Sequence, residues 1–407
     1  MTQYICSKMF TDLNIRFTYN SVKNCCKTQD IKLSLEEIQR NNVFIENSEY
    51  LSRKADMLFV NQLPELGCAT CVKTEPNSLF RTWNLWKEEF TPEEKLELYK
   101  KDNLTTYELV LSSACDLKCI YCGSKDSSSW AKELREPIRR ANKEWEDSIS
   151  YQFTEHLRNK TYDEERYYFF FSGGEPTYNP DTLKYIRRIL KFVPKEKIVI
   201  IMSTNINTKD KVLEQYLNEV RSDRNVRWVF DCSLDGLGDK CEAIRTGISW
   251  DRAIKNIKKL IAEENIEVRI SPTVNLYSLP HTAEFVKYFY DLIVSEYEKI
   301  GSEPKRLFEL FNHNMALEYD MSPLDIPSHY SSYLDPAIEF CEKNGLQYAD
   351  HLKNIKTLVG NRVGHDGGDA IREKFEYFKR VRPEYDWDAL FPHVPEIIDE
   401  LDKNKKI

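Results

Sequence analysis

The chain has 407 residues, 41% of them apolar, and a formal net charge of −8 at pH 7. This length suits one large domain with a smaller one, and the composition is typical of a folded protein. No basic stripe with interleaved aromatic residues runs along the sequence, so nucleic-acid binding is not favoured. No apolar stretch approaches the roughly 20 residues that cross a bilayer, which argues against a membrane protein.

The amino terminus lacks the basic start and apolar core of a secretory signal, which favours a cytoplasmic location. The sequence contains eleven cysteines. In a reducing compartment such cysteines are metal ligands or buried thiols more often than they are disulfides.

The first quarter of the chain carries five of these cysteines among irregular stretches and short predicted helices. Two residues separate Cys68 from Cys71, a spacing that is typical of metal ligands. A strand–turn–strand pattern follows Cys6 and ends at the adjacent Cys25 and Cys26. Cys6, one of that pair (Cys25 is slightly favoured), Cys68 and Cys71 make four ligands. The residues alone leave open whether they hold zinc or an iron–sulfur cluster.

From residue 105 onwards, strand-like segments alternate with helical patterns, which indicates βαβ units and a parallel sheet. The aromatic run in the second predicted strand suits burial on both faces. One long helical stretch is predicted over 127–159, and residues 315–407 read as mostly helical. Because six strands are too few for a closed eight-stranded barrel, we expect an open or partial barrel. The six strands are predicted at 105–113, 166–176, 197–205, 226–236, 266–274 and 306–314.

Short polar motifs follow several of these strands, where the sites of parallel sheets gather. After the first strand come Cys115, Cys119 and Cys122, three cysteines within eight positions. Thiolates in short loops bind iron–sulfur clusters, and three ligands on a four-iron cluster leave one iron open. Zinc or unreactive thiols are the alternative for the spacing alone.

The pattern Cys-x₃-Cys-x₂-Cys, with Tyr121 before the last cysteine, resembles the signature of the radical S-adenosylmethionine (SAM) superfamily. The resemblance implies a partial (β/α)6 radical SAM barrel and a 4Fe–4S cluster on Cys115, Cys119 and Cys122. It also implies that SAM chelates the open iron. One electron from the cluster then cleaves SAM to methionine and a 5′-deoxyadenosyl radical, which abstracts hydrogen from a substrate.

Further motifs match the superfamily in order along the chain. Gly173, Gly174, Glu175 and Pro176 resemble its GGEP motif, in which backbone groups and the glutamate receive the SAM ammonium group. A carboxylate beside a cation forms a charge-assisted pair, and glycines allow close backbone approach. The remaining cofactor-binding positions implied by the resemblance are Tyr121, Ser203, Asn205, Ser233, Asp235 and Arg245.

The cysteines of the first quarter resemble those of a twitch domain, the shortened SPASM module that binds an auxiliary 4Fe–4S cluster. Such modules usually follow the radical SAM core, whereas these cysteines precede it. The resulting domain prediction is 1–100 for this module, 101–314 for the core and 315–407 for a helical extension.

The resemblance implies an oxidoreductase or transferase-type enzyme with two clusters, acting in small-molecule oxidation or peptide modification. The auxiliary cluster would transfer electrons or bind the substrate, and a flavodoxin or ferredoxin would donate electrons. The substrate itself is not specified. The alternative is a zinc-binding scaffold or interaction protein without catalysis.

Overall fold

The computed structural model describes residues 6–25, 28–40, 43–60, 62, 90–303, 306–312, 314–315, 321–361 and 367–404. The chain divides into two compact units. The first unit consists of Met1–Cys115, Ser124–Ser203 and Glu214–Val229, and the second of Asp116–Gly123, Thr204–Leu213 and Phe230–Ile407. Within the described residues, no helix combines the length and the apolar character needed to cross a membrane.

The strands are short and are numbered in chain order. They are β1 (Asp12–Arg16), β2 (Ser21–Lys23), β3 (Ile31–Lys32), β4 (Thr106–Val110), β5 (Lys118–Cys119), β6 (Tyr167–Ser172), β7 (Ile198–Thr204), β8 (Arg227–Cys232), β9 (Arg245–Thr246), β10 (Ile266–Ile270), β11 (Thr273–Val274) and β12 (Asn314–Met315).

The helices are numbered in the same way, and a π-helix, Asp56–Val60, follows α4. They are α1 (Lys8–Thr11), α2 (Leu35–Ile38), α3 (Val43–Glu46), α4 (Ser48–Ala55), α5 (Pro92–Lys100), α6 (Ser128–Leu134), α7 (Lys143–Asn159), α8 (Asp181–Phe192), α9 (Asp210–Ser222), α10 (Asp239–Ile244), α11 (Trp250–Ile261), α12 (Thr282–Lys299), α13 (Asp335–Lys343), α14 (Tyr348–Leu358), α15 (Gly367–Val381), α16 (Trp387–Leu390) and α17 (His393–Asn404).

The first unit is built on a sheet with the strand order β3-β2-β1-β4-β6-β7, which continues into the first residues of β8. The pairs β1–β4, β4–β6 and β6–β7 are parallel, and the pairs β1–β2 and β2–β3 are antiparallel. Strand β1, in the amino-terminal segment, therefore lies directly beside β4.

Aromatic side chains hold the centre of this sheet together. Tyr167, Phe169 and Phe171 are fully buried on one face of β6, and Phe169 stacks on Tyr107 of β4 with ring centroids 5.1 Å apart. Stacked aromatic pairs stabilise beyond their area burial. The opposite face of β6 is only partly covered, since Tyr168 is 37% exposed. Burial of this strand on both faces was therefore a wrong expectation.

The helices form where apolar residues recur every three or four positions. Helix α7 begins at the cap residue Asn142, whose side chain accepts from the Trp145 N–H at 3.0 Å. It buries Trp145, Ile149, Phe153 and Leu157 along one face. Such a stripe stabilises a surface helix through packing more than through intrinsic propensity.

The single long helix predicted over 127–159 is wrong in one respect, because two helices, α6 and α7, occupy this range. Helix α6 ends at Arg135, which takes a left-handed conformation with φ of 55°. Pro137 follows two residues later, and a proline disfavours helical geometry in the residue before it.

The second unit contains the end of β8 beside β10, the parallel pair β11–β12 and the antiparallel pair β5–β9. The sixth predicted strand is shorter than expected. A 3₁₀ turn, Leu307–Glu309, occupies its start, and only Phe311 bridges to Ile270 before β12 begins. Helices α13 to α17 make up the described carboxy-terminal region, in which Trp387 stacks on Phe378 at 5.2 Å.

The predicted fold class is confirmed at the level of a mixed α/β protein with a parallel-stranded core and a helical carboxy-terminal region. The predicted limits of the three domains stay predictions.

Candidate functional site

The segment that carries Cys119 and Cys122 is held by a short antiparallel pairing inside the second unit. Strand β5 pairs with β9, so that Cys119 lies opposite Arg245, and Ile120 N–H donates to the Ile244 carbonyl at 2.9 Å. Gly247 has φ of 104°, and a β-carbon there would lie 3.1 Å from the Asp116 carbonyl oxygen. Position 247 therefore requires glycine for two reasons. The backbone is in the left-handed region, and it packs closely against the cysteine segment.

Asp235 lies at the centre of a buried polar cluster in the same unit. Its carboxylate forms an ion pair with Arg245, with Nε 2.7 Å from Oδ2 and Nη2 donating to Oδ1 at 3.1 Å. It also accepts from the Tyr121 hydroxyl and, at 2.6 Å, from the Thr273 N–H. Asp235 is only 2% exposed, so these donors replace the water that an ionised carboxylate needs. The structure thus brings together Tyr121, Asp235 and Arg245, which the sequence predicts as cofactor-binding residues.

Arg245 links this cluster to the cysteine segment. Its Nη1 lies 3.9 Å from the Cys119 sulfur, and its guanidinium lies 5.5 Å from the centroid of the Tyr121 ring. Burial is the largest single effect and lowers the pKa of Arg245, but Asp235, Tyr121 and Cys119 together outweigh it and raise that pKa well above its ordinary value. Burial also raises the pKa of Tyr121 far above its usual range, so the phenol stays protonated and donates to Asp235.

The pKa of the Cys119 thiol depends on Cys122, on burial and on Arg245. A hydrogen bond with Cys122 lowers the pKa of Cys119, burial opposes this, and the Arg245 guanidinium lowers it further. The Cys122 N–H donates to the Cys119 carbonyl at 3.0 Å, which closes the turn between these two residues. A thiolate is the form of cysteine that binds metals.

Asp116 anchors the cysteine segment to the residues that follow β7. Its carboxylate accepts one amide hydrogen bond from Asn205 and one from Asn207, each at 2.9 Å. Asn205 and Asn207 are 6% and 5% exposed, and Ile206 between them has φ of 55°. A β-branched residue in the left-handed region is strained, so the surrounding contacts must hold it there.

Cys115 belongs to the first unit, where hydroxyl groups of α6 fix its backbone. The Cys115 N–H donates to Ser128 Oγ at 3.1 Å, and its carbonyl accepts from Ser128 at 3.1 Å and from Ser129 at 2.8 Å. No motif in the sequence points to these serines beyond their place at a helix start.

The GGEP motif packs directly on the residues before Cys115. Gly174 N–H donates to the Ser112 carbonyl at 2.9 Å, and Glu175 N–H donates to the Ala114 carbonyl at 2.7 Å. A β-carbon on Gly174 would lie 2.3 Å from that Ala114 oxygen, and Gly173 has φ of 109°. Both positions therefore require glycine for the fold, whatever the cofactor.

The side chain of Glu175 is buried and caps a 3₁₀ turn. It is 3% exposed, and Oε1 accepts from Thr177 N–H at 2.9 Å and from the Thr177 hydroxyl at 2.6 Å. A carboxylate that accepts several hydrogen bonds is held in one orientation.

The remaining predicted positions lie at strand ends, as expected for a site of a parallel sheet. Ser203 is partly buried near the end of β7. Ser233 follows β8, and its N–H donates to the Thr204 carbonyl at 2.8 Å. As cofactor ligands, these residues and the others named above stay predictions.

Among the five cysteines of the first quarter, Cys6 and Cys25 are described, while Cys26, Cys68 and Cys71 lie outside the described residues. Cys6 is buried among Met9, Phe10, Met57 and Leu58. Its N–H lies 3.3 Å from the Met57 sulfur.

The donor chemistry fits the iron–sulfur cluster that the motif implies. Cys115, Cys119 and Cys122 supply three thiols from one short segment, which is the ligand type that these clusters use. A cationic donor, Arg245, already faces the Cys119 sulfur. Within the described residues, no three or more His, Cys, Asp or Glu side chains are grouped so that they could hold a metal ion.

Sequence reasoning missed Asp116 and Asn207, although both lie within two residues of predicted positions. Asn207 also accepts from Ser249 N–H at 3.0 Å and donates to the Gly247 carbonyl at 3.1 Å, so it joins three segments. A polar residue directly after a predicted metal ligand is the signal that could have revealed Asp116, because such residues often orient ligands.

No curated protein matches the sequence. Among solved structures, native anSMEcpe with bound AdoMet and Kp18Cys peptide shares 19% identity, over 63% of this chain and 61% of that chain, with a TM-score of 0.39. Streptococcus suis SuiB shares 16% identity, over 80% of this chain and 67% of that chain, with a TM-score of 0.34. SuiB bound to precursor peptide SuiA gives the same identity over 79% of this chain and 67% of that chain, also with a TM-score of 0.34.

The family model of the Radical SAM superfamily matches residues 109–282. This range contains the cysteine segment, the GGEP motif and the cluster around Asp235. Over residues 109–282, the chain is therefore similar to the radical SAM superfamily.

Proposed function

We propose that this protein is a radical SAM enzyme that cleaves SAM reductively and abstracts hydrogen from a substrate. The observation that carries the proposal is the match of the family model over residues 109–282, which includes all three cysteines of the motif. When bound, a 4Fe–4S cluster supplies the electron that cleaves SAM to methionine and a 5′-deoxyadenosyl radical.

Cys115, Cys119 and Cys122 would hold that cluster through their thiolates. The chain prepares them by fixing the backbone on both sides of the motif. Ser128 and Ser129 bind the backbone of Cys115, and β9 pairs with Cys119. Preorganised ligands do not lose further backbone entropy when the metal binds.

The GGEP residues would receive the amino group of SAM. Support comes from Glu175, a carboxylate that Thr177 already orients by two hydrogen bonds. A buried carboxylate attracts a cation more strongly than an exposed one does, because water screens it less. We assign Ser203, Asn205 and Ser233, at the ends of β7 and β8, to further SAM contacts.

Tyr121, Asp235 and Arg245 would support the segment that carries Cys119. Asp235 already accepts from Arg245, Tyr121 and Thr273. We therefore assign Asp235 chiefly to the orientation of Tyr121 and Arg245.

The proposal also includes an auxiliary cluster bound by cysteines of the first quarter of the chain. Cys6, Cys25, Cys68 and Cys71 would bind a second 4Fe–4S cluster that accepts an electron from a substrate radical or binds the substrate. Cys6 supports this role because it is buried among apolar side chains, and a dry environment shields a cluster from water. The reaction would be small-molecule oxidation or peptide modification, with a flavodoxin or ferredoxin as donor.

Iron and sulfide analysis after anaerobic reconstitution tests both parts of the proposal. Two clusters require about eight irons per chain, and one cluster requires about four. Addition of SAM to the reduced protein should change the electron paramagnetic resonance (EPR) spectrum of the Cys115–Cys119–Cys122 cluster. About four irons per chain with that EPR response would contradict the auxiliary cluster and would still support the radical SAM assignment. A reconstituted protein that binds only zinc and gives no response to SAM would overturn the whole proposal.

A further inference from the structure

The guanidinium of Arg245 is held so that one of its edges faces the Cys119 sulfur. Nη2 donates to Asp235 Oδ1 at 3.1 Å, Nε lies 2.7 Å from Oδ2 in an ion pair, and Nη1 lies 3.9 Å from Cys119 Sγ. Because the guanidinium is planar, fixing two of its nitrogens on a carboxylate also fixes the third. The position of the charge relative to the sulfur is therefore set by Asp235.

The backbone reinforces this arrangement. Arg245 and Cys119 are directly opposite each other in the β5–β9 pair, and the next residues along, Ile120 and Ile244, are joined by a hydrogen bond. The two side chains therefore start from Cα atoms that the ladder keeps about 5 Å apart.

Burial strengthens the electrostatic interaction between the Arg245 charge and the Cys119 sulfur. Arg245, Asp235 and Cys119 are 5%, 2% and 6% exposed, so water screens their interactions weakly. Asp235 also accepts from the Tyr121 hydroxyl and the Thr273 N–H. These extra donors stabilise the carboxylate, so part of the positive potential of Arg245 remains directed at the sulfur.

We propose that Arg245, positioned by Asp235, raises the reduction potential of the cluster bound at Cys119. The inference rests on the proposed function, because it concerns the cluster assigned to this cysteine. A one-electron reductant, a flavodoxin or ferredoxin in the cell or dithionite in the experiment, gives up one electron. The reduced cluster and its thiolates then carry one more negative charge, which a cationic donor at the sulfur stabilises. Arg245 is thus a positioning and tuning residue, with no direct role in hydrogen abstraction.

The test is a redox titration of the cluster followed by EPR, with the reconstituted full chain and its Arg245→Met and Arg245→Lys variants. At a fixed solution potential, Arg245→Met should lower the ratio of reduced to oxidised cluster by about tenfold, the size expected of one charge-assisted hydrogen bond. Arg245→Lys keeps the charge and should fall between Arg245→Met and the wild type.

Arg269→Met is the matched control. Arg269 forms the same kind of ion pair in the same unit, with Nε 2.7 Å from the buried Asp231 carboxylate. The Arg269 guanidinium donates to Asp231 and not to a cysteine, so its substitution should leave the ratio unchanged.

An unchanged ratio in Arg245→Met, with iron content equal to the wild type, overturns the inference and leaves the proposed function standing. Loss of iron from both Arg245→Met and a second neutral variant, Arg245→Gln, also overturns it, because Arg245 would then be needed to retain the cluster. An equal shift in Arg269→Met would show a general effect of charge and would contradict the specific role. A wild-type chain that reconstitutes no SAM-responsive cluster contradicts the proposed function, and this inference falls with it.

Discussion

Gly174 lies so close to Ala114 that a β-carbon on Gly174 would fall 2.3 Å from the Ala114 carbonyl oxygen. Ala114 immediately precedes Cys115, so this contact connects the GGEP motif to the first cysteine of the motif. The glycine is therefore a structural requirement of the cysteine segment as well as a feature of the family pattern.

The first prediction concerns this contact. Gly174→Ala should displace the backbone before Cys115, because real β-carbons do not approach backbone atoms so closely. We expect a loss of about 1–3 kcal/mol in the free energy of unfolding, as for an overpacked core, and weaker retention of iron. Thermal unfolding and iron analysis measure the two effects. Gly123→Ala is the control, since Gly123 follows Cys122 directly and a β-carbon there meets nothing within 4 Å. Equal behaviour of the two variants would show that the close contact is unimportant.

The second prediction concerns Asp116. Asp116→Ala removes the acceptor for the buried amides of Asn205 and Asn207. An unsatisfied buried donor costs about 1–3 kcal/mol, so the free energy of unfolding should fall by about that amount. Chemical denaturation of the cluster-free chain under reducing conditions measures it. Asp210→Ala, which removes an exposed carboxylate that pairs with Lys255 and Lys259, should have a much smaller effect. A loss in Asp116→Ala no larger than in that control would contradict the anchoring role.

The third prediction compares how much Asp235 and Tyr121, which share a buried hydrogen bond, contribute to the free energy of unfolding. Asp235→Asn leaves the Arg245 guanidinium without its counter-charge in a buried position, which typically costs about 3–5 kcal/mol. Tyr121→Phe removes only one donor to Asp235 and should cost about 1 kcal/mol. Denaturation of both variants without cluster gives the comparison. A Tyr121→Phe variant that loses as much stability as Asp235→Asn would contradict this ranking. It would show that the Tyr121 hydroxyl stabilises the buried polar side chains as much as the ion pair does.

The fourth prediction concerns acid stability. Burial lowers the pKa of His156 from 6.5 to about 4, although Asp102 partly opposes it. In the range between these two values the unfolded chain binds a proton at this imidazole and the folded chain does not. The contribution of His156 is therefore present above pH 6.5 and is lost as the pH falls towards 4, by about 3 kcal/mol in total.

Denaturation of the wild type and His156→Gln at a series of pH values isolates this contribution, because the carboxyl groups titrate in both proteins. The difference between the two stabilities should shrink or reverse as the pH falls from 6.5 to 4. A constant difference for His156→Gln would contradict the depressed pKa.

The order and type of most core strands were predictable from the sequence, because a run such as that of β6 combines aromatic residues with flanking glycines. The contacts between site residues were harder to predict from the sequence. Tyr121 and Asp235 are 114 positions apart, and nothing in either local pattern indicates that they share a hydrogen bond. The partners of these residues therefore depend on how distant segments pack, which the motif positions do not reveal.

One error has a local physical cause. The break between α6 and α7 depends on the left-handed conformation of Arg135, which a helical hydrophobic pattern does not reveal. The pairing of β1 with β4 joins residues about ninety positions apart, and such long-range pairing leaves no periodic signal. The local pattern therefore does not predict that β1 extends the sheet of the first unit.

The most direct test of the central claim is the release of 5′-deoxyadenosine by the anaerobically reconstituted chain with dithionite and SAM. It should be measured in parallel for the wild type, Cys119→Ala and Cys341→Ala, the last being a buried cysteine in α13. The account predicts release from the wild type and Cys341→Ala, and none above background from Cys119→Ala. Equal release from Cys119→Ala, or no release from a wild type that carries its full complement of iron, would contradict it.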